Sequence, residues 1–248
     1  MSGHSKWATI KRKKGATDAK RGQMFTKLIK EITVAARAGG GDPNGNPRLR
    51  TAIASARASS MPNDNIDRAI KKGTGELEGV NYEEVSYEGY GPKGVALMID
   101  SLTDNKNRTV AEIRNLLSKK GGNLGESGSV AWVFHKKGFL SFDKKSIPED
   151  KIMEAALDAG AEDITDTEET WDVTCAPADF EKVKGALQAF KPLHAEISRI
   201  PQNTVELTEL SDAQKMLNLM EALEEHDDVQ KVYANFDIPA AILEKVTT

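Results

Sequence analysis

The order of predicted elements between Gly138 and Ile200 constrains the fold more than any other feature of this sequence. Four short segments of strand character alternate there with two helical segments, in the order β-α-β-β-α-β. That order is a complete ferredoxin-like unit, in which two helices cover one sheet. The predicted strands are 139–142, 163–165, 170–175 and 196–200, and the predicted helices are 149–159 and 177–190. We therefore expect a ferredoxin-like α+β domain over residues 136–202.

The segments on either side of this unit have too few strands to close a sheet alone. Before it, strands are predicted at 82–90, 94–102 and 130–134, with a helix that begins after Thr103-Asp104-Asn105. After it, strands are predicted at 204–207 and 229–236, around a helix at 211–224. Pairing the two flanks is the economical solution. We expect residues 80–135 and 203–248 to form one discontinuous α+β domain that carries the ferredoxin-like unit as an insertion.

Residues 17–75 predict a small bundle of three helices. The first helix ends at Gly39-Gly40-Gly41, the second has Asn46 as its cap with Pro47 at its first position, and the third begins after Met61-Pro62. Each helix is too short to be stable unless it packs on the others. Apolar residues recur at helical spacing in all three, and these predicted stripes are Phe25, Leu28, Ile29, Ile32 and Ala36, then Leu49, Ala52, Ile53 and Ala56, then Ile66, Ala69 and Ile70. The whole chain is thus predicted as a three-domain α+β protein. Residues 1–16 show no apolar periodicity and predict a flexible basic arm.

Charge divides the chain near the same boundary. Residues 1–75 hold 16 Lys and Arg against 5 Asp and Glu, a net charge of +11, whereas residues 76–248 hold 18 against 33, a net charge of −15. A whole-chain charge of −4 therefore hides a strong asymmetry. Such asymmetry between two parts of a chain indicates a polyanionic partner at the basic end, and nucleic acid is the partner that we predict.

The candidate nucleic-acid contacts are basic residues of the arm and of the helices. Those of the arm and the start of the first helix can neutralise several phosphates without reading sequence, and they are Lys6, Lys11, Arg12, Lys13, Lys14, Lys20 and Arg21. Trp7 can stack on a base or pack against the first helix, and the sequence leaves both alternatives open. The helical residues Arg50, Arg57 and Arg68 extend the same face unless they are simply part of a solvated surface.

The sequence offers no residue pattern typical of a catalytic or metal site. A single Cys175 and four scattered His residues exclude a Cys-rich zinc site. The glycine-rich segment 121–129 lacks the Lys-Ser/Thr ending of a P-loop, so a structural loop is favoured. The run 137–142 is faintly similar to an RNA-binding signature, but it lies on the first strand of its unit instead of the third. We expect no catalytic residue, no metal and no cofactor.

No apolar run approaches the ~20 residues that span a bilayer, and no apolar segment follows the first lysines as in a secretory signal. We therefore expect a cytoplasmic protein without a membrane partner. The sequence does not determine the oligomeric state, and a monomer is favoured. The absence of a heptad dimerisation pattern and of an evident recognition helix weighs against a sequence-specific operator reader.

Six stretches of the sequence resemble the YebC family. They are Gly3-His4-Ser5-Lys6-Trp7, Gly39-Gly40-Gly41-Asp42-Pro43, Asn46-Pro47-Arg48-Leu49-Arg50, Met61-Pro62-Asn63-Asp64-Asn65-Ile66, Tyr87-Glu88-Gly89-Tyr90-Gly91-Pro92 and Thr103-Asp104-Asn105. The resemblance covers the whole chain. It implies three domains with a helical first domain, and it contributes no catalytic residue.

The resemblance leaves the nucleic acid open. Bacterial members are usually described as probable DNA-binding transcriptional regulators, while a mitochondrial relative is a translational activator of cytochrome oxidase subunit I. Members are also linked to helping ribosomes through proline-rich stalls. Our first hypothesis is a DNA-binding transcriptional regulator, and the second is a translation factor that binds RNA or the ribosome. A third class, a nuclease or other hydrolase, is disfavoured because no nucleophile or metal set is evident.

Overall fold

The computed structural model of the chain describes residues 18–167 and 169–247, with side chains from 21 to 246. The described residues have a mixed α+β fold, which confirms the predicted fold class. They contain eight α-helices: α1 Asp18–Gly39, α2 Pro47–Ala58, α3 Asn63–Thr74, α4 Lys106–Lys119, α5 Glu149–Ala159, α6 Phe180–Ala186, α7 Leu210–Glu224 and α8 Ala240–Thr247. None of these helices is both long enough and apolar enough for a transmembrane segment.

The same residues contain ten strands in three sheets. The strands are β1 Glu83–Tyr90, β2 Ala96–Thr103, β3 Asn123–Leu124, β4 Phe134–Asp143, β5 Asp163–Asp166, β6 Thr170–Cys175, β7 His194–Pro201, β8 Val205–Glu206, β9 Val229–Ala234 and β10 Phe236–Asp237. The split sheet has the order β3-β1-β2-β9, and the continuous sheet has the order β5-β6-β4-β7. β8 and β10 form a short parallel pair.

The split sheet draws its strands from two distant parts of the chain. β9 pairs antiparallel with β2, so a strand close to the C-terminus completes a sheet begun by β1 and β2. Helices α4 and α7 pack on this sheet. The core under this sheet combines side chains from the segments before and after the continuous sheet. Its fully buried members include Leu97, Ile99, Ile113, Leu117, Met216, Leu219, Leu223 and Phe236.

The continuous sheet is built from residues 134–201 alone, and every neighbouring pair of its strands is antiparallel. Its strand order is that of a ferredoxin-like unit. Helices α5 and α6 cover one face, over a core that contains Leu140, Phe142, Ile152, Trp171, Val173 and Val183. The indole N–H of Trp171 donates to the carbonyl of Ile147 at 3.2 Å, so the one polar atom of this large side chain is satisfied within the core.

Helices α1, α2 and α3 share a small core of their own. The predicted apolar stripe of α2 is fully confirmed, because Leu49, Ala52, Ile53 and Ala56 are all buried. α1 and α3 approach so closely that a Cβ atom at Gly73 would lie 2.4 Å from the carbonyl oxygen of Thr33. A residue without a side chain is therefore required at this crossing.

The predicted strand at 130–134 is wrong. Residues Ala131–Val133 form a short 3-10 turn, and β4 begins only at Phe134 and runs on to Asp143. The cause is the buried side chain of Glu88, whose carboxylate accepts hydrogen bonds from the backbone N–H groups of Gly128 (2.7 Å), Val130 (2.7 Å) and Ala131 (2.8 Å). The backbone N–H groups in these bonds are therefore not available for the inter-strand hydrogen bonds that a β-strand forms.

Two further predictions need correction. The helix predicted at 177–190 is divided into a 3-10 turn, α6 and a second 3-10 turn at Gln188–Phe190. Side chains three residues apart eclipse in a 3-10 turn, which directs both Leu187 and Phe190 toward the core under α6. The strand predicted at 229–236 is interrupted at Asn235, whose side-chain oxygen accepts the N–H of Ala96 at 2.7 Å. Helix α8 was not predicted.

Candidate nucleic-acid interface

The predicted arm contacts lie outside the described residues, and they are Lys6, Trp7, Lys11, Arg12, Lys13 and Lys14. Lys20 lies in the first turn of α1, with its side chain also outside the described part. Arg21 is therefore the first of the predicted contacts whose side chain is described. Its exposed guanidinium lies over the ring of Phe25, 5.5 Å from the centroid.

Three predicted arginines project from α2 and α3 into solvent. Arg50 and Arg57 are seven residues apart on α2, which places them about two turns apart on one side of the helix. Arg68 lies on α3, and all three side chains are exposed. Arg50 donates to the carbonyls of Pro43 (3.2 Å) and Asn44 (3.4 Å). Within 18–167 and 169–247, none of the three has an ion-pair partner, so we call Arg50, Arg57 and Arg68 the outward set.

Other basic residues of the same helices hold the helices to the rest of the protein. Arg48 donates from Nε and Nη2 to both oxygens of Glu31, at 2.7 and 3.0 Å, and from Nη1 to Glu84 at 2.6 Å. The hydrogen bonds to Glu31, with a smaller contribution from Glu84, raise the pKa of Arg48 above its ordinary value, although burial opposes the shift. Arg37 donates to the side chain of Asn81 and to the carbonyl of Val80.

One face of α1 contacts the C-terminal end of α7. Gln23 donates to the carbonyl of Glu225 at 3.3 Å, and Lys27 donates to the carbonyl of Glu224. Lys30 donates to the carbonyl of Asp227 at 3.1 Å. The last carbonyls of a helix have no partner inside that helix, and they form the negative end of its dipole. Side chains of α1 therefore donate hydrogen bonds to carbonyls at and just beyond the end of α7, where the last carbonyls have no N–H partner within their own helix.

Asp228 lies at the centre of this contact and is 3% exposed. Its Oδ1 accepts from Lys30 Nζ at 2.6 Å, while its Oδ2 accepts from Thr109 Oγ1 at 2.6 Å and from Arg108 Nη2 at 3.0 Å. Asp228 thus joins α1 to α4 across about 200 residues of chain. We call Lys27, Lys30, Arg37 and Arg48, which hold the helices in place, the docking set.

The Asp228 carboxylate is stabilised in its charged form. Burial alone would raise the pKa of Asp228, but the hydrogen bonds from Lys30, Thr109 and Arg108, with the charge of Lys30, hold it well below its usual range. The hydrogen bond to Asp228, followed by a second one to Asp104, raises the pKa of Arg108. The buried Lys30 ammonium is in turn compensated by a buried carboxylate, as a charge removed from water requires.

Glu112, His226 and Asp228 bring three possible metal-binding atoms within 4.8 Å of one another. These atoms are already in use. The Nδ1 of His226 accepts the N–H of Asp228 at 3.1 Å, so its proton is on Nε2, which donates to Glu112 at 2.9 Å. A divalent cation there would also lie beside the positive charges of Lys30 and Arg108. The chemistry of this group fits an ion-pair network better than a metal site.

Sequence reasoning found the outward set and missed the docking role of Lys27 and Lys30. The spacing of residues in α1 contains one indication of this docking role. Val34 is four residues after Lys30 and is 6% exposed, so α1 buries a second face besides the predicted stripe of Phe25, Leu28, Ile29 and Ile32. A lysine within such a face is expected to have a partner of opposite charge or a set of acceptors.

The fold and this interface define the class, an α+β protein whose basic N-terminal helices are docked by ion pairs onto an acidic body. A family model described as the TACO1/YebC protein N-terminal domain matches residues 5–76, and one described as the TACO1/YebC second and third domain matches residues 82–236. The chain belongs to the TACO1/YebC family, as the resemblance predicted.

Full-length relatives carry a common name. A protein of Syntrophus aciditrophicus (strain SB) is 60% identical over 250 residues and 100% of both chains, and it is named probable transcriptional regulatory protein. A relative with the same name from Geotalea uraniireducens (strain Rf4) is 58% identical over 99% of this chain and 100% of its own. The crystal structure of a conserved hypothetical protein from Aquifex aeolicus matches with a TM-score of 0.77 and 49% identity, over 90% of this chain and 92% of that one.

Proposed function

We propose that this protein is a non-enzymatic, nucleic-acid-binding regulator of gene expression, whose basic end contacts the phosphate backbone. The observation that carries the proposal is the division of the basic residues on α1, α2 and α3. Lys30 and Arg48 of the docking set are paired with carboxylates, and Lys27 and Arg37 donate to other residues of the protein. The outward set of Arg50, Arg57 and Arg68 is exposed without an ion-pair partner among the described residues. Exposed arginines with free N–H donors are the groups that bind phosphate best.

The acidic remainder supports the same proposal. Residues 76–248 carry a net charge of −15, which disfavours close approach of a polyanion over most of the body, so the basic end and the arm before it are the favoured contacts for a duplex. The docked orientation of α1–α3 then fixes how the nucleic acid lies with respect to the two larger sheets.

The geometry favours contacts to the backbone over direct reading of DNA bases. α2 and α3 are joined by a short turn, so α3 occupies the place of a recognition helix in a helix-turn-helix pair. Its first two turns expose Asp64 and Asp67, which repel phosphates where a recognition helix enters the groove. A DNA-binding transcriptional regulator, as the relatives' names suggest, would then bind with little sequence preference. The alternative is a translation factor that binds RNA or the ribosome.

The test of nucleic-acid binding is the triple variant Lys11→Glu, Arg12→Glu and Lys13→Glu. We expect it to abolish affinity for duplex DNA and structured RNA, with an unchanged thermal unfolding temperature. If the arm makes ~4–5 phosphate contacts, log K of the unmodified protein falls against log salt with a slope of roughly −4. The matched control is Lys145→Glu, Lys151→Glu and Lys182→Glu, three exposed lysines of the body. A flat salt response, or an unaffected arm variant, contradicts the proposal.

The choice between DNA and RNA is tested by offering purified protein a random duplex library and ribosomes in parallel. Recovery of ribosomes without an enriched DNA motif supports the translational alternative. One sharp DNA motif without ribosome association supports transcription. Incubation of either nucleic acid with the protein and a divalent metal should give no cleavage, and cleavage would overturn the non-enzymatic proposal.

We also propose that the chain is divided into three domains, at 17–75, at 80–135 with 203–248, and at 136–202. The continuous sheet supports the last boundary, and the shared core of α4 and α7 supports the discontinuous one. A fragment of residues 136–202 should unfold cooperatively by itself. A fragment of residues 80–135 should not, because β9 and α7 are missing from it, and a cooperative transition in that fragment would contradict the division.

A further inference from the structure

Trp132 is 64% exposed, more than any other large apolar side chain among the described residues. Its indole N–H donates to the carbonyl of Ser129 at 3.1 Å, and the hydroxyl of Tyr90 donates to the same oxygen at 3.2 Å. The ring is therefore held in one orientation although it is mostly in solvent. An exposed Trp that is also fixed is a typical feature of a binding surface, since its contact area can be used with little loss of side-chain freedom.

The loop that presents Trp132 is fixed as well. Glu88 accepts the N–H groups of Gly128, Val130 and Ala131 through its carboxylate, and its backbone carbonyl accepts the N–H of Gly125 at 2.8 Å. Burial alone would raise the pKa of Glu88, but these hydrogen bonds to its side chain lower the pKa, so the carboxylate stays charged and bound. The N–H groups of Gly125, Gly128, Val130 and Ala131 are thus bound within the protein and are not free to cradle a phosphate.

Basic side chains flank this loop in an otherwise acidic body. Lys119 and Lys120 precede it, and His135 and Lys136 follow Trp132 on β4. All four are exposed, and within 18–167 and 169–247 none of them forms an ion pair. The loop itself carries one exposed acid, Glu126. Along the chain, Trp132 therefore lies between lysines, and an aromatic ring accompanied by cations is the combination that binds a stacked base and its phosphates.

We propose that Trp132 is a stacking platform for an unpaired nucleobase, with Lys119, Lys120 and Lys136 as contacts to the neighbouring phosphates. This site is separate from the basic helices, and it deepens the proposed function by assigning a second, single-stranded ligand segment to the body. A protein partner fits the surface less well, because a protein hot spot needs a contiguous apolar patch and the exposed neighbours of Trp132 in the chain are small, polar or charged.

Tryptophan fluorescence can test the proposal directly. In a Trp7→Phe background, the remaining indoles are Trp132 and Trp171, and Trp171 is 3% exposed. Titration with eight-nucleotide oligo(dT) or oligo(U) should quench the emission of Trp132, while a blunt duplex should quench it far less. The two single strands distinguish DNA from RNA as the source of the unpaired base.

Variants provide the second measurement. Trp132→Ala should weaken affinity for the single strands about tenfold, and Trp132→Phe should retain most of it, because a phenyl ring still stacks. Leu157→Ala is the matched control, since Leu157 is 61% exposed on α5 and should not affect binding.

Several outcomes would overturn the inference. They are the absence of quenching by either single strand, equal quenching by the duplex, and unchanged affinity in Trp132→Ala. Loss of a co-purifying protein from Trp132→Ala, with unchanged oligonucleotide affinity, would assign the site to a protein partner instead. Failure of the proposed function is distinguishable, since it is measured with duplexes and the arm variant, whereas this site is measured by quenching at Trp132.

Discussion

The docking set and the outward set are both basic and both belong to the bundle of α1, α2 and α3, yet their most different members, Lys30 and Arg57, have opposite surroundings. Lys30 is 7% exposed and is bound by a buried carboxylate, whereas Arg57 is exposed and has no ion-pair partner in the described part of the chain. A count of charges gives both the same weight. Only the contacts separate a cation that maintains the structure from one that is available to a ligand.

This difference has a physical origin. A cation removed from water must find compensating charge and acceptors, so its energy is tied to one geometry. A solvated cation is not held in one geometry, so it remains able to form an ion pair with a ligand. Changes in the docking set should therefore alter stability, and changes in the outward set should alter binding.

The largest expected effect is on stability, from Asp228→Ala. Removing this carboxylate leaves the Lys30 ammonium buried without its partner, which we expect to lower the free energy of unfolding by about 3 kcal/mol. Urea titration monitored by circular dichroism measures the change. Arg57→Ala serves as the control, with a change within about 0.5 kcal/mol. Equal stabilities for the two variants would remove the distinction between the sets.

The pH dependence of that difference sharpens the comparison. The pKa of Asp228 is lower in the folded protein than the ordinary value of about 3.9 in the unfolded chain. Its contribution is therefore present in full above about pH 5, and it is lost as the pH falls through 4 toward the folded value. The stability difference between wild type and Asp228→Ala should stay constant from about pH 5 to 8 and shrink below about pH 4. A difference that grows on acidification would contradict this assignment.

The next effect is on binding. Replacing Arg50, Arg57 and Arg68 together by Ala should weaken affinity for duplex DNA or structured RNA about tenfold, or about 1.4 kcal/mol. The salt slope should also become less steep by about 0.9 for each phosphate contact that is lost. Stability should remain within about 0.5 kcal/mol of wild type, because these side chains are exposed. Unchanged affinity would show that the outward set is an ordinary solvated surface.

The smallest effect is expected for Arg48→Ala. Arg48 belongs to the docking set, but its side chain is 39% exposed, so its ion pairs with Glu31 and Glu84 are screened by solvent. We expect a loss of about 0.5–1 kcal/mol in the urea titration. Arg48→Lys should lose nearly as much, because an ammonium cannot reproduce the two-point contact with Glu31. If Arg48→Ala lost as much stability as Asp228→Ala, the burial of a docking contact would not determine how much it contributes to the free energy of unfolding.

Local patterns predicted the elements well where one face is apolar. The stripe of α2 and the bounds of α5 follow from spacing and from Pro148 before the helix. The docking contacts could not be predicted this way, because Lys30 and Asp228 are 198 residues apart. The spacing of Lys30 and Val34 indicates a second buried face on α1, but it does not identify the partner of Lys30. Trp132 was assigned to a strand, because its apolar neighbours look like a strand when the distant carboxylate of Glu88 is not known.

The split sheet has a consequence for the order in which the protein is made. Its strand β9 follows the whole of the continuous sheet in the sequence, and Asp228 immediately precedes β9. During synthesis, all of the continuous sheet emerges from the ribosome before either β9 or Asp228 does, and domains generally fold as they emerge. Throughout that interval, Lys30 has no carboxylate to dock against. In a nascent chain, the contacts of α1 with Asp228 and with the end of α7 can therefore form only after the continuous sheet has been made.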